Sequence, residues 1–189
     1  MKHIKLFESF EDIHDICKKY NITNYTINDD GSIDVDGNVN LQYRELTKLP
    51  LKFRNVNGRF HCHMNFLTSL EGCPNKVGGD FACSSNLLES LEGCPEYIEG
   101  DFIFRNNKIY SFEGFPKHIG GGISGENNPI YEIYCFFDDY SKIELFNDMD
   151  IIQNKVVILD RLNFFLEEID KETYDGEGPV IFVDGYKCV

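Results

Sequence analysis

Hydrophobic residues recur along the middle of the chain with a fixed spacing of 21 residues. Five glycines mark the period, at Gly37, Gly58, Gly79, Gly100 and Gly121. With each glycine counted as position one, positions three, ten and thirteen are apolar in every unit, and position five is apolar or small. Position eight is Asn in four units and Arg44 in the first. A fixed period of this length predicts a solenoid, in which each unit is one coil stacked on the next.

The order of residues within each unit is that of a leucine-rich repeat, L-x-L-x-x-N-x-L-x-x-L. Positions three and five alternate inward on a short strand, and the Asn at position eight can bond backbone groups where the chain turns. Gly and Pro at positions fifteen to seventeen, as in 72–74, favour a tight extended return with no long helix. The sequence therefore predicts about five coils, each advancing by about 4.8 Å.

A short solenoid has two apolar ends that need caps. The predicted segments are an N-terminal cap over 1–36, the leucine-rich-repeat solenoid over 37–141 and a C-terminal cap over 142–189. We expect these segments to share one compact domain, because a length of 189 residues suggests one domain and the caps cover the two ends of the solenoid. The predicted fold class is α+β, a short leucine-rich-repeat solenoid between two mixed caps.

Each cap has its own predicted elements. In the N-terminal cap, Ser9 is a candidate helix N-cap, and a hairpin is predicted from Tyr25–Ile27 and Ile33–Val35. In the C-terminal cap, apolar residues at helical spacing predict a helix over 156–169, and a short strand is predicted over 180–183.

Charge and cysteine content limit the classes of function. The 189 residues include 32 acidic and 18 basic side chains, a formal net charge of -14, which argues against nucleic acid and anionic membranes as partners. No apolar run of about 18 residues occurs, and residues 1–10 lack the core of a secretory signal, so a cytoplasmic location is predicted. Seven cysteines without a Cys-x-x-Cys pair favour reduced thiols.

The outward positions two, four and six of the strands form the predicted concave face, where solenoids of this kind usually bind partners. Its candidate binding residues are Arg59, His61, His63, Asp80, Ala82, Ser84, Asp101, Ile103 and Arg105. The alternative is an ordinary solvated sheet face with ion pairs such as Arg59 with Asp80. An exposed acidic row of Glu71, Glu92 and Glu113 on the outer return would suit a basic partner.

Catalytic chemistry has weaker support in the sequence. His61 and His63 are about 6.6 Å apart on one side of a strand, where both imidazoles could approach one metal ion, with Asp80 as the only suitable neighbour. Cys62 points to the opposite side, which disfavours a Cys-His nucleophile, and cysteines 21 residues apart suggest packing. A zinc or thiol enzyme remains an alternative, but no catalytic residue, metal ligand or cofactor is predicted.

Several phrases of the sequence resemble small leucine-rich-repeat proteins encoded by large tailed bacteriophages. The resemblance is carried by "MKHIKLFESF", "YTINDDGSIDVDGNVNL", "LTSLEGCP", "GGDF", "NPIYEIYCFFDDYSKIELFNDMD", "VVILDRLNFFLEEI" and "VDGYKCV". It implies a phage origin and an interaction role, without naming a partner or a site.

Together these observations predict a non-catalytic module that binds a host or phage protein in the host cytoplasm. An alternative follows from a second likeness, because Leu6-Phe7-Glu8 has the form of the segment that directs internal proteins of myovirus-type phages into the capsid and is cut after Glu. The chain would then be an internal virion protein. No pattern in the sequence indicates an oligomeric state.

Overall fold

Two parallel sheets run side by side through the repeat region. The computed structural model describes residues 12–135, 137, 140–153, 155–173 and 187–188. One sheet has five strands, which are β3 (Val39–Asn40), β5 (Phe60–His61), β7 (Phe81–Ala82), β9 (Phe102–Ile103) and β11 (Ile123–Ser124). Each pairs in parallel with the strand 21 residues further along the chain. Five strands at this spacing make about four turns, so the predicted short repeat solenoid is confirmed.

The extended return of each coil forms the second sheet. The predicted hairpin is confirmed, because β1 (Tyr25–Ile27) pairs antiparallel with β2 (Ile33–Val35). The sheet then continues in parallel through β4 (Phe53–Val56), β6 (Lys76–Val77), β8 (Tyr97–Ile98) and β10 (His118–Ile119). The sequence predicted only an extended return here. Once the first strands stack at about 4.8 Å, the returns stack at the same spacing and can share backbone hydrogen bonds.

The repeated glycine at position one allows the backbones of successive coils to approach closely. A Cβ atom on Gly58 would lie 2.3 Å from Asn38 Oδ1, and one on Gly121 would lie 2.3 Å from Asp101 Oδ1. Real Cβ atoms do not approach oxygen so closely, so a side chain here would separate the coils. This requirement recurs at Gly58, Gly79, Gly100 and Gly121, where one coil lies on the coil before it, and explains why their spacing does not vary. A Cβ on Gly37, in the first coil, would meet nothing within 4 Å.

The repeated Asn at position eight joins each coil to the one before it. The Asn86 Oδ1 atom accepts a bond from the Leu67 amide at 3.0 Å. Its Nδ2 atom donates to the carbonyls of Cys62 at 3.1 Å and Cys83 at 3.0 Å. Asn65, Asn107 and Asn128 bond in the same way, and all four are buried. The role predicted for this position is therefore confirmed, and the bonds reach across coils.

Inward side chains of the coils fill the space between the two sheets. Phe60, Phe81 and Phe102 stack with ring centroids 5.9 and 6.0 Å apart. At position five, coil four has the large Phe104 and coil five has Gly125. A Cβ atom on Gly125 would lie 2.3 Å from Phe104 Cζ, so the absence of a side chain there leaves room for the Phe104 ring. This exchange of volumes keeps the core close-packed where the repeat departs from its consensus.

A helix covers the first coil. Helix α1 includes residues 12–19 and places Ile13 and Cys17 in the core, and Tyr20 directly after it is also buried. The candidate N-cap Ser9 and the segment Leu6-Phe7-Glu8 lie outside the described residues.

The fifth coil ends in α2 (Pro129–Tyr134), a 3-10 turn (Tyr140–Lys142) follows, and the C-terminal cap begins with α3 (Ile143–Asp148). It continues with β12 (Ile152–Gln153), β13 (Val156–Val157), α4 (Leu159–Glu168) and β14 (Lys187–Cys188). The prediction of one helix over 156–169 was wrong at its start. Two β-branched valines pair there with Ile152–Gln153, and α4 begins only after them. The strand predicted over 180–183 lies outside the described residues.

Aromatic side chains attach this cap to the coils. The rings of Phe112, Phe137, Phe146 and Phe165 form a cluster with centroid separations of 5.2–5.6 Å. Phe112 occupies position thirteen of coil four, so the apolar end predicted for the solenoid is buried against α3 and α4. Edge-to-face packing predominates, which suits the quadrupoles of the rings.

Candidate binding surface

All nine predicted binding residues lie together on the outward side of the five-stranded sheet, in coils two to four. We call this surface the strand face, and its members are Arg59, His61, His63, Asp80, Ala82, Ser84, Asp101, Ile103 and Arg105. Parallel pairing in register sets positions two, four and six of each coil beside the same positions of the next. The repeat arithmetic therefore placed these side chains on one surface.

The row at position two has a structural role. Arg59 Nε is 3.0 Å from Asp80 Oδ2, which is the ion pair expected from the sequence. The other oxygen, Asp80 Oδ1, accepts a bond from the amide of Asp101 at 3.0 Å, and Asp101 Oδ1 accepts one from Gly122 at 2.7 Å. These carboxylates satisfy backbone donors of the following coil, which leaves them less free to bind a partner.

Coil three forms the low centre of the strand face. Ala82 is only 5% exposed and Ser84 only 7%, because the larger side chains of coils two and four stand higher on either side. His61 and His63 form one wall of this trough, and Ile103 and Arg105 form the other. Coils stack about 4.8 Å apart, so the backbones of the two walls, in coils two and four, are about 10 Å apart. The trough between them is therefore wide enough for one extended chain.

The two histidines contact each other, with ring centroids 5.6 Å apart. Burial lowers the pKa of His61, an effect opposed by Asp80 and increased by Arg59. Burial also lowers the pKa of His63, and the charges of His61 and Arg105 lower it further. Both imidazoles are therefore neutral near pH 7.

One polar atom of the strand face has no partner. The Nδ1 atom of His63 is buried and is the only such side-chain atom without a hydrogen bond among the described residues. Within the same part of the chain, the guanidinium of Arg105 forms no salt bridge or hydrogen bond. The Nδ1 atom of His63 has almost no accessible surface, whereas Arg105 is exposed, so Arg105 is the group that a partner can reach directly.

A metal site at the histidines lacks a third ligand. Asp80 is committed to Arg59 and to the backbone, as described above. No group of three or more His, Cys, Asp or Glu side chains in the described ranges is arranged to hold a metal ion.

The thiols of the repeat lie in the core. Cys62, Cys73 and Cys83 are buried, Cys94 is half-buried, and all four are free. Burial raises the pKa of Cys73, Cys83 and Cys94, and the neighbouring thiol of Cys62 raises it further. A thiol in these surroundings resists ionisation, so it behaves as a small apolar group rather than as a nucleophile.

An apolar patch beside the strand face was not predicted from the sequence. We call it the corner patch, and it consists of Tyr43, Met64, Phe66 and Leu87, which are 66%, 42%, 53% and 39% exposed. It continues the strand face, because the Tyr43 ring contacts the His63 ring at a centroid distance of 6.1 Å. The pattern at positions seven and nine could have revealed it, since neither position supplies the core.

A second depression lies along the stacked turns at positions eleven to seventeen and encloses about 1290 Å³. Its floor consists of backbone turns such as that from Leu70 to Cys73, closed by a 2.9 Å hydrogen bond. Two cations on its rim are paired, Lys52 with Asp30 at 2.8 Å and Lys117 with Glu96 at 3.0 Å, whereas Lys48 and Glu71 form no salt bridge among the described residues. We favour the strand face, because its side chains stand on paired parallel strands, whereas the floor of this depression consists of turns.

The acidic row of Glu71, Glu92 and Glu113 is exposed beside these turns. Its backbone is fixed locally, because Ser69 Oγ accepts a bond from the Glu71 amide at 3.0 Å. The carboxylates themselves extend into solvent.

Comparison of the chain with protein-family models, with curated proteins and with solved structures found no match. None of the helices in the described part of the chain has the length and apolar character needed to span a bilayer.

Proposed function

We propose that this chain is a non-catalytic module that binds another protein through the strand face. The observation that carries the proposal is that the exposed guanidinium of Arg105 has no salt bridge or hydrogen bond within the described residues and stands with His63 on a sheet of paired parallel strands. Hydrogen bonds between coils hold the backbone beneath them, so the surface is preorganised and binding costs little ordering. From the resemblance to phage proteins we propose that the partner is a host or phage protein and that binding occurs in the host cytoplasm.

The experiment is a pull-down with the tagged chain from infected and uninfected host cells, with proteins identified by mass spectrometry. The natural chain is compared with a variant in which His61, His63 and Arg105 are changed to Ser. A matched control carries Lys76→Ser, Glu99→Ser and His118→Ser on the other sheet, where these three side chains pair with one another. A protein retained by the natural chain and the control but lost by the first variant supports the proposal.

Retention of every partner by all three chains would contradict a role for the strand face. If no partner is retained from either extract, the internal virion alternative gains support. That alternative predicts mature protein beginning at Ser9 in purified particles, which N-terminal sequencing of virion proteins detects.

A further inference from the structure

Two residues of the corner patch, Tyr43 and Met64, are held in a backbone conformation that they do not favour. Position seven has positive φ in all five coils, at Tyr43, Met64, Ser85, Asn106 and Asn127, with φ between 53° and 58°. Asn tolerates this left-handed conformation, but bulky side chains in it cost about 1 kcal/mol or more. Coils four and five therefore have the residue that the turn prefers, whereas coils one and two have Tyr and Met.

Core packing does not explain this choice. Tyr43 and Met64 are exposed, and so are Phe66 and Leu87 at position nine. A chain that accepts unfavourable backbone geometry in order to expose apolar side chains indicates a function for those side chains.

Cationic groups lie beside the corner patch in a protein of net charge -14. Arg105 and Lys108 occupy positions six and nine of coil four, and Lys108, like Arg105, forms no ion pair among the described residues. Charges further away act weakly, since the Debye length is about 8 Å at physiological salt. The charges nearest to a group in the trough are therefore those of Arg105 and Lys108, the Arg59–Asp80 pair beside His61, and the carboxylate of Glu126, which interacts with Arg105.

We propose that the trough of coil three and the corner patch bind one extended segment of the partner that carries an acidic side chain followed by apolar side chains. The acidic group lies against Arg105, and the apolar side chains cover Met64, Phe66 and Leu87. This inference rests on the proposed function and specifies the partner's recognition element.

The test uses random peptides, because the sequences of those that bind show which residues the surface prefers. A library of random twelve-residue peptides displayed on particles is selected against the immobilised full chain. Binding of the enriched peptides is measured to the natural chain, to a corner variant (Tyr43→Asn with Met64→Asn) and to Arg105→Gln. A matched control carries Tyr97→Gln and Phe164→Gln, which remove two exposed aromatic rings elsewhere.

We expect enriched peptides to combine Asp or Glu with apolar residues and to lose at least tenfold in affinity for the corner variant and for Arg105→Gln. The control should bind as the natural chain does. In the methyl spectrum of the complex, the Met64 resonance should shift, whereas that of Met149, half-buried in the C-terminal cap, should not. The inference would be overturned if the enriched peptides are basic or if they bind all variants equally. It would also be overturned if selection against the natural chain enriches no more peptides than selection against the corner variant.

The stability of the corner variant provides a second check. Asn suits the left-handed conformation, so the corner variant should be no less stable than the natural chain towards urea. A clear loss of stability would mean that Tyr43 and Met64 serve the fold, which also overturns the inference. The peptide selection could fail while the pull-down partner is still lost with the His61, His63 and Arg105 to Ser variant. In that case the proposed function stands and only the recognition element proposed here is wrong.

Discussion

Tyr140 closes the open edge of the six-stranded sheet beside Ile119. Its hydroxyl donates to the Ile119 carbonyl at 3.1 Å and lies 3.4 Å from the Ile119 amide, which donates to it. Tyr140 follows Ile119 by 21 residues, so it occupies the place where another coil would have added a strand. A side-chain hydroxyl thus satisfies both backbone groups that a sixth parallel strand would have paired, and the solenoid ends without a bare edge.

Removing this hydroxyl should loosen the edge. We expect Tyr140→Phe to lower the free energy of unfolding by about 1–2 kcal/mol, because the two backbone groups of Ile119 lose their partner. Urea unfolding measures the loss, and amide hydrogen exchange should be faster at Ile119. Tyr43→Phe is the control, since the Tyr43 side chain is 66% exposed. Equal stability of the two variants would show that the Tyr140 hydroxyl contributes nothing to the edge.

The Asn residues that connect the coils provide a stronger test. Asn86→Ala leaves the buried Leu67 amide without an acceptor, so we expect a loss of about 2–4 kcal/mol in the free energy of unfolding. Asn57→Ala removes only an exposed bond to Asp36 and should change stability by less than about 0.5 kcal/mol. Denaturant titration of both variants gives the comparison, and a loss below 1 kcal/mol for Asn86→Ala would refute its bridging role.

Close approach of the coils predicts a difference between two glycines at successive coil boundaries. A Cβ on Gly100 would lie 2.4 Å from Asp80 Oδ1 and 2.7 Å from the Asp80 amide nitrogen. On Gly122 its nearest neighbour would be Asp101 Oδ1, at an ordinary 3.6 Å. Gly100→Ala should therefore cost about 1–3 kcal/mol through overpacking, and Gly122→Ala much less. Thermal unfolding followed by circular dichroism compares them, and similar midpoints for the two variants would contradict the explanation of the period.

The repeat could be predicted from the sequence because each coil faces the same physical demands. A glycine where backbones meet and an Asn where the chain turns recur at fixed positions, so their spacing reveals the architecture. The cap at 156–169 was harder to predict, because Val156 and Val157 fit a helical apolar pattern as well as a strand. Tertiary pairing with Ile152–Gln153 decides between them, and that contact is not visible in local periodicity.

The candidate site could be predicted only in part. Alternation along the strands placed His63 and Arg105 on one face, since that depends on backbone geometry alone. The exposure of Met64 and Phe66 depends on a left-handed turn that Tyr and Met do not suggest. The lack of a partner for His63 Nδ1 depends on where every neighbouring side chain lies, which no repeat pattern specifies.

The histidines of the strand face predict a pH dependence of stability. Burial lowers the pKa of His61 and of His63 in the folded chain from the ordinary value of 6.5. Between the two values the unfolded chain binds more protons, so the free energy of unfolding falls as the pH is lowered from about 7 towards 5. Asp80 opposes this effect at His61, while Arg59 and Arg105 add to it.

Replacing both imidazoles separates this effect from other titrating groups. Urea unfolding of the natural chain and of a His61→Gln, His63→Gln variant is measured at half-unit steps from pH 7.5 to pH 5. We expect the variant to lose less stability over this range, because Gln does not titrate. The lowered pKa values of Asp30 and Asp34 affect stability only at more acidic pH, below their ordinary value near 3.8, so they do not obscure the comparison. Identical slopes for the two chains would mean that burial of these imidazoles does not disfavour their charged form.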